Sequence, residues 1–181
     1  MSEPETPLHT QLWAPWRLAY VKADPPADPA EPRAITLLPG GDRECFLCRA
    51  VADTADRENL VAGRGEHTVC VLNRYPYNNG HLLIAPKLHK ARLADLSSAE
   101  QLECVEQVAD YVARLERLMA AQGFNVGLNL GRVAGAGLPG HLHWHVVPRW
   151  QGDTNFMPSL AGVRVIPQAL EALWEALQGA E

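Results

Sequence analysis

Apolar residues along the chain fall into short stretches, and their strand-like alternation and length predict β-strands. These stretches run over 67–72, 81–85, 124–130 and 141–147. Between the first two lies 73–80, which is rich in Asn and Tyr with Pro and Gly and predicts the long loop of an antiparallel hairpin. A glycine-rich segment joins the last two stretches, and strands joined by such a loop pair antiparallel.

A helical period replaces this alternation after Ser97. Ser97 and Glu100 fit a capping box, which predicts the start of a long helix, and Gly123 predicts its end. Between them apolar residues recur at helical spacing and are expected to face the core: Leu102, Val105, Ala109, Val112, Leu115 and Met119.

A second, shorter helix is predicted near the C-terminus. Pro167 suits its first turn and Gly179 suits its end. An amphipathic stripe lies between them, formed by Leu170, Leu173, Trp174 and Leu177. An antiparallel sheet backed on one face by a long helix is an α+β domain, and this is the predicted fold class.

The length of 181 residues, of which 47% are hydrophobic, suits one domain. We expect residues 1–40 to form an N-terminal arm that includes a partly flexible, proline-rich segment at 23–32, and residues 41–181 to form the domain. Two tryptophans and a tyrosine within 12–20 indicate that this arm docks on the domain or on a second subunit.

The charge pattern excludes several classes of partner. The formal net charge is -5 and Lys and Arg form no run, so nucleic acid polymers are not expected partners. No apolar stretch reaches the ~20 residues of a membrane span, and the N-terminus lacks the pattern of a signal peptide. We therefore expect no membrane partner and a cytoplasmic protein.

Three histidines carry the most informative chemistry in the chain. His141, His143 and His145 alternate with apolar residues, so on an extended strand they share one face, with neighbouring imidazoles ~7 Å apart. That distance matches a phosphate with its substituents. A catalytic zinc ion held by three histidines is one alternative. A merely polar face is another, although histidine is an uncommon choice for it.

Cys45 and Cys48 have the spacing of a metal or redox site. A redox motif needs a strand before the pair, whereas 38–42 has the composition of a loop, so zinc is the stronger prediction. Zinc needs two more ligands, and the chain offers His89 and one histidine of the row 141–145.

Other residues of these types are expected to be structural. Cys70 and Cys104 lie within apolar segments, and the sequence shows no constellation around His9, His67 or His81.

Residues 135–140 formally match the dinucleotide-binding pattern GxGxxG. That fingerprint requires a helix at its third glycine, but Pro139 and Gly140 lead into a predicted strand. We expect a loop, either a plain connection or one whose backbone N–H groups approach an anionic ligand.

The residues 141–147 are similar to the His-φ-His-φ-His-φ-φ signature of the histidine triad (HIT) superfamily of nucleotide hydrolases and transferases, where φ is an apolar residue. Further segments resemble a bacterial branch that includes diadenosine tetraphosphate phosphorylase-like and hydrolase-like proteins. They are 12–17, 45–48, 72–77, 80–83, 124–129, 148–150 and 152–156.

The resemblance implies a HIT-like sheet of about five antiparallel strands with a long helix and a C-terminal helix, and a homodimer. It also implies that His143 attacks the α-phosphorus of a mononucleotide conjugate or dinucleoside polyphosphate and becomes a nucleotidyl-histidine. A pKa of about 6.5 suits this role, because the imidazole is then mostly neutral at pH 7. His145 and Asn129 would contact phosphate oxygens, Asn73 the ribose and Gly137 the nucleotide.

His141 has two possible roles by this resemblance. In members without a Cys pair it belongs to the phosphate-side hydrogen-bond network, whereas in zinc-bearing relatives, such as galactose-phosphate uridylyltransferases, the first histidine of the motif binds the metal. Since this chain has Cys45, Cys48 and His89, we assign His141 to a structural Zn²⁺ site with them.

One departure from the family pattern leaves the reaction class open. Several relatives carry Gln or Ser beside the leaving group, whereas this loop has Gly137-Leu138-Pro139-Gly140. We expect hydrolysis, or transfer to phosphate, of adenosine polyphosphates or other adenylylated conjugates. The alternatives are a nucleotide-binding or interaction protein with little turnover, and a metal-dependent hydrolase.

Overall fold

The computed structural model describes residues 34–153 and 166–179. His9, the aromatic segment 12–20, the proline-rich segment 23–32 and the segment 154–156 lie outside these residues, and the boundary between arm and domain stays a prediction. Within the described ranges no helix combines the length and apolarity that a membrane span requires.

The elements follow one another along the chain as α1 (Phe46–Ala52), α2 (Asp56–Asn59), β1 (Val61–Arg64), β2 (Thr68–Leu72), β3 (Leu82–Pro86), α3 (Ser98–Met119), β4 (Gly123–Leu128), β5 (Trp144–Arg149) and α4 (Leu170–Gln178). Short 3-10 turns add Leu93–Asp95 and Arg132–Ala134.

The five strands form one antiparallel sheet in the order β1-β2-β3-β5-β4. This confirms the predicted α+β class, the β2–β3 hairpin and the pairing of β4 with β5. The pattern of apolar residues alone did not predict β1, because it is four residues long and its register shifts between Val61 and Gly63.

Both faces of the sheet are covered, because successive side chains of a strand point to opposite sides. Cys70, Ile84 and Val146 pack with α3 and α4 in one core cluster. Val71 and Leu83 pack with α1 in a second cluster. The two predicted core cysteines, Cys70 and Cys104, are both fully buried in the first cluster.

The capping box of α3 is confirmed, but the predicted buried stripe is wrong in part. Leu102 and Val105 are 60% and 55% exposed. A second apolar stripe at equally helical spacing faces the core, with Cys104, Tyr111 and Leu115 buried and Val108 and Leu118 partly buried beside them. Of the predicted stripe, Leu115 is buried, Val112 and Met119 pack on the core, and Ala109 is exposed. Contact with the sheet therefore selects the face that contains Tyr111.

The predicted helix ends need correction. The long helix stops at Met119 with Ala120 in the left-handed region at φ 49°, whereas Gly123 opens β4. At the C-terminus Pro167 precedes the helix, which begins at Leu170 after the N-cap Ala169. The stripe of α4 is confirmed, since Leu173 and Leu177 are buried and Leu170 and Trp174 pack beside them.

The histidine strand also begins later than predicted. Strand β5 starts at Trp144, so His141 and His143 precede it. The alternation of side chains nevertheless continues through them, because Leu142 and Trp144 pack in the first core cluster. His141 is buried on the opposite side, where it contacts Cys45 instead of continuing a β-ladder.

Candidate active site and metal centre

One ring nitrogen of His143 forms a hydrogen bond to the backbone, and the other is available to a ligand. Its Nδ1–H donates to the backbone oxygen of His141 at 2.8 Å, and the residue is 8% exposed. Burial lowers the pKa of His143 below its usual value, although the hydrogen bond to His141 opposes this. The ring is therefore neutral at pH 7, and its Nε2 carries a lone pair that can attack an electrophile.

His145 lies beside His143 and is oriented by His81. The ring centroids of His143 and His145 are 5.1 Å apart, and Nε2 of His81 lies 2.9 Å from Nδ1 of His145. The backbone N–H of Tyr77 donates to Nδ1 of His81 at 3.0 Å, so His81 carries its proton on Nε2. Nδ1 of His145 accepts the hydrogen bond from Nε2–H of His81. The neutral His145 ring consequently carries its own proton on Nε2.

Both rings of this pair stay neutral. Burial, followed by the effects of the neighbouring His145 and His143, lowers the pKa of His81 to about 3. Burial, followed by the effect of His143, lowers the pKa of His145 to about 4. At neutral pH the site thus presents one imidazole lone pair and, beside it, one imidazole N–H donor.

The sequence shows no constellation around His81 and predicts a structural residue, whereas the structure places its ring against His145. Its partner His145 is 64 residues away in the chain, so no local spacing reveals the contact. The signal available was the hairpin itself. Once Leu83 pairs with His145, His81 lies on the same face as its diagonal neighbour.

Asn129 and Tyr77 complete the surroundings of His145. The side-chain amide of Asn129 lies 3.3 Å from Nε2 of His145, and the Tyr77 ring stacks on the His145 ring with centroids 5.5 Å apart. A cavity of about 220 Å³ opens between them, over Gly127 of β4. A Cβ at Gly127 would meet no atom within 4 Å, so this space is accessible to a ligand.

The predicted nucleotide-binding residues Asn73 and Gly137 both lie on loops, and Asn73 contacts His81 of this site. The amide of Asn73 lies 3.1 Å from Nδ1 of His81, and its oxygen accepts the N–H of Tyr75. Gly137 is exposed in the loop before the triad and has open space around it. As predicted, no helix opens at Gly140, where the chain turns toward β5.

A separate cluster unites Cys45, Cys48, His89 and His141, and their ligand atoms all lie within 4.8 Å of one another. Nδ1 of His141 is 3.3 Å from Sγ of Cys45, and Nδ1 of His89 is 3.2 Å from Sγ of Cys48. A tetrahedral zinc site separates its sulfur and nitrogen ligands by roughly 3.5 Å. The four residues therefore fit a metal ion, as the Cys and His pattern predicted.

The protonation of His141 suits this role. Its Nε2 lies 2.8 Å from the backbone oxygen of Pro86 and must donate to it, which leaves the Nδ1 lone pair directed at the cysteines. Helix α1 presents both thiols, because Cys45 is its N-cap and Cys48 lies in its first turn. His143 and His145 take no part in the cluster, which argues against a catalytic metal held by the triad.

Comparison with known proteins identifies relatives along most of the chain. Residues 55–152 match the HIT domain. The chain is 41% identical over 167 residues to an AP-4-A phosphorylase from Mycobacterium tuberculosis, covering 88% of this chain and 78% of that protein.

Two solved structures resemble the fold. One is a zinc-bound histidine triad family protein from Mycobacterium smegmatis, with 28% identity, a TM-score of 0.56, and coverage of 77% of this chain and 94% of that one. The other is a histidine triad nucleotide-binding protein from Sulfolobus tokodaii, with 23% identity, a TM-score of 0.60, and coverage of 75% and 91%. Domain match, sequence identity and fold agree, and the chain belongs to the HIT domain family.

Proposed function

We propose that this protein cleaves adenosine polyphosphates or other adenylylated conjugates at the α-phosphorus through a covalent intermediate on His143. One observation carries the proposal: the free Nε2 lone pair of His143 lies beside an N–H donor of His145 that His81 fixes. A nucleophile next to a preorganised donor is the arrangement that phosphoryl attack requires.

The reaction proceeds in two steps. Nε2 of His143 attacks the α-phosphorus, a P–N bond forms, and the bond from phosphorus to the leaving oxygen breaks. The N–H of His145 stabilises the negative charge that develops on the phosphate oxygens, with Asn129 as a second contact. Water, or inorganic phosphate, then attacks the same phosphorus and releases His143 with its lone pair restored.

The substrate class follows from the relatives. The similar protein from M. tuberculosis is an AP-4-A phosphorylase, so we propose a dinucleoside polyphosphate as substrate and phosphate as one acceptor. The loop around Gly137 offers no polar side chain to the leaving group. Cleavage therefore depends on the low basicity of the leaving polyphosphate oxygen. A nucleotide-binding protein with little turnover is the alternative.

The Cys45, Cys48, His89 and His141 cluster is proposed to hold Zn²⁺ in a structural role. Four protein ligands close a tetrahedral site and leave no position for substrate. When bound, the ion would link helix α1 to the loop before β5. We expect one zinc per chain, retained in a fully active enzyme.

A homodimer is the proposed assembly. Leu102 and Val105 form an exposed apolar stripe on α3, and the outer edge of β4 pairs with no strand in the described part of the chain. Val126 of β4 is 44% exposed beside that edge. An exposed apolar stripe and an unpaired strand edge are each suited to contact with a second copy.

Turnover of diadenosine tetraphosphate with and without inorganic phosphate tests the function. Phosphorolysis yields ADP and ATP, whereas hydrolysis yields AMP and ATP. The variant His143→Asn retains a side-chain N–H for the backbone oxygen of His141 but lacks the nucleophile, so it should form neither product. Normal binding without product from the wild type on several adenylylated compounds would leave only the binding alternative.

A further inference from the structure

The nucleophile lies beyond the end of the sheet. The ladder between β3 and β5 ends at the pair Ile84–Trp144, and the ladder between β4 and β5 ends at Leu128–Trp144. His143 therefore has no strand neighbour in the described residues that sets its backbone position. Other contacts must hold it.

The peptide group between His141 and Leu142 supplies these contacts. Its oxygen accepts Nδ1–H of His143 at 2.8 Å, and its N–H donates to the backbone oxygen of Lys90 at 2.7 Å. A peptide group is planar, so fixing the direction of its N–H also fixes the direction of its oxygen. The position of Lys90 thus determines where the acceptor for His143 points.

Lys90 is itself fixed through its side chain. Its Nζ lies 2.8 and 2.6 Å from the two carboxylate oxygens of Glu100, which is 5% exposed. The same carboxylate accepts the backbone N–H of Ser97 at 2.6 Å and completes the capping box of α3. Removing one partner of an ion pair with a buried carboxylate costs far more than removing one partner of a surface pair, because it leaves a buried charge without compensation.

We propose that Lys90 is a positioning residue for the His143 nucleophile, acting through Glu100 and the His141–Leu142 peptide. The role of His143 as nucleophile in this proposal rests on the proposed function. The contacts of Lys90 are independent of that function. Lys90 reaches the nucleophile only through the backbone. Its loss should therefore slow the attack and leave substrate binding intact.

The variants Lys90→Met and Lys90→Arg test this proposal. Methionine keeps an apolar stem without the cation, and arginine restores a cation that can pair with Glu100. We expect Lys90→Met to lower kcat by roughly 10- to 100-fold, the size of a misplaced reacting group, with KM within about twofold of wild type. Lys90→Arg should recover most of that loss. All assays contain saturating Zn²⁺, so that metal loss cannot imitate misplacement.

A measurement without substrate checks the contact directly. Hydrogen exchange of the Leu142 amide should accelerate by about tenfold in Lys90→Met, while the amides of the β2–β3 ladder keep their protection. The matched control is Arg57→Met, which removes an exposed ion pair with Glu175 and should change neither kcat nor the Leu142 amide.

Two results would overturn the proposal: a kcat for Lys90→Met equal to that of Arg57→Met, or an unchanged Leu142 amide. If Lys90→Met does not fold, Glu100→Gln weakens the same pair but keeps a capping side chain, and must shift both readouts in the same direction. If wild-type protein shows no turnover, the proposed function fails, and the Leu142 amide still decides whether Lys90 holds the peptide.

Discussion

His81 and His145 show how a buried pair of neutral imidazoles can determine what an active site offers. Tyr77 N–H sets the tautomer of His81, and His81 sets the tautomer of His145. The Tyr77 N–H, two hydrogen bonds away, thus determines that His145 presents an N–H donor to the substrate. Such outer partners affect activity strongly, because they orient the groups that react.

Changing His81 should therefore change kcat. His81→Ala removes the donor to Nδ1 of His145, and we expect kcat to fall by roughly 10- to 100-fold. His81→Gln places an amide N–H at a similar reach and should lose less. Steady-state kinetics of both variants check this, and a kcat of His81→Ala equal to that of wild type would show that the hydrogen bond is irrelevant to rate.

The low pKa of His81 also predicts a pH dependence of stability. The unfolded chain binds this proton below about pH 6.5, whereas the folded protein resists it down to about pH 3. Stability is therefore lost as the pH falls through this window, by at most ~1.4 kcal/mol per pH unit for one histidine. Urea unfolding between pH 7 and 5 should show a shallower loss in His81→Gln than in wild type. Parallel curves would contradict the burial of a neutral His81.

At the scale of elements, Arg64 of β1 holds the helix that carries the two cysteines. Its guanidinium donates to the backbone oxygens of Ala50 and Val51 in α1, at 2.7 and 3.0 Å, and to that of Asp53 at 2.7 Å. Ala50 and Val51 lie in the last turn of a seven-residue helix and Asp53 is its C-cap, where backbone oxygens need partners from outside the helix. Arg64 thus ties α1 to the sheet.

Arg64→Met should remove these three hydrogen bonds. We expect the free energy of unfolding to fall by ~1–3 kcal/mol. We also expect zinc to exchange faster to a chromogenic chelator, because α1 carries Cys45 and Cys48. Arg57→Met, at an exposed pair, should change stability by less than ~0.5 kcal/mol. If both variants behave alike, Arg64 does not secure α1.

The close approach of Gly63 and Tyr111 predicts that substitutions in β1 and in α3 have coupled effects on stability. A Cβ on Gly63 would lie 2.3 Å from the hydroxyl of Tyr111, which is buried on α3. Gly63→Ala should therefore cost ~1–3 kcal/mol of stability as overpacking. Tyr111→Phe removes the hydroxyl, so Gly63→Ala should cost clearly less in that background. A double-mutant cycle measures this, and additive costs would contradict the clash.

The elements also show which features a sequence can predict. Capping residues at Ser97 and Glu100 act within one turn, so the start of α3 could be read locally. Its buried face could not, because two apolar stripes share the helical period and only contact with the sheet selects the one containing Tyr111. The start of β5 was misplaced because His141 bonds to a distant cysteine instead of a strand.

At the scale of the whole molecule, residues far apart in the chain meet in two adjacent centres. The spacing of Cys45 and Cys48 predicted a metal site with His89, the resemblance to zinc-bearing relatives added His141, and the structure confirms that the four residues meet. His81 and Lys90 were missed, since ordinary residue types give no sign of such contacts before the fold is known.

The proposed dimer predicts an effect of surface charge. The double variant Leu102→Lys and Val105→Lys places two cations on the exposed apolar stripe, where a second copy would have to bury them. We expect a dimeric wild type and a monomeric variant by light scattering after gel filtration. As a control, Glu106→Lys changes an exposed neighbouring side chain on α3. A wild type that is monomeric at micromolar concentration would contradict the dimer.

The central claim is that His143 carries the nucleotidyl group, and trapping the intermediate tests it most directly. Protein mixed with diadenosine tetraphosphate and quenched in mild base should gain the mass of one AMP on the peptide containing His143, and lose it in acid, where phosphoramidate bonds break. His143→Asn should gain nothing. An adduct on another residue, or rapid turnover with no adduct at any time, would contradict the account.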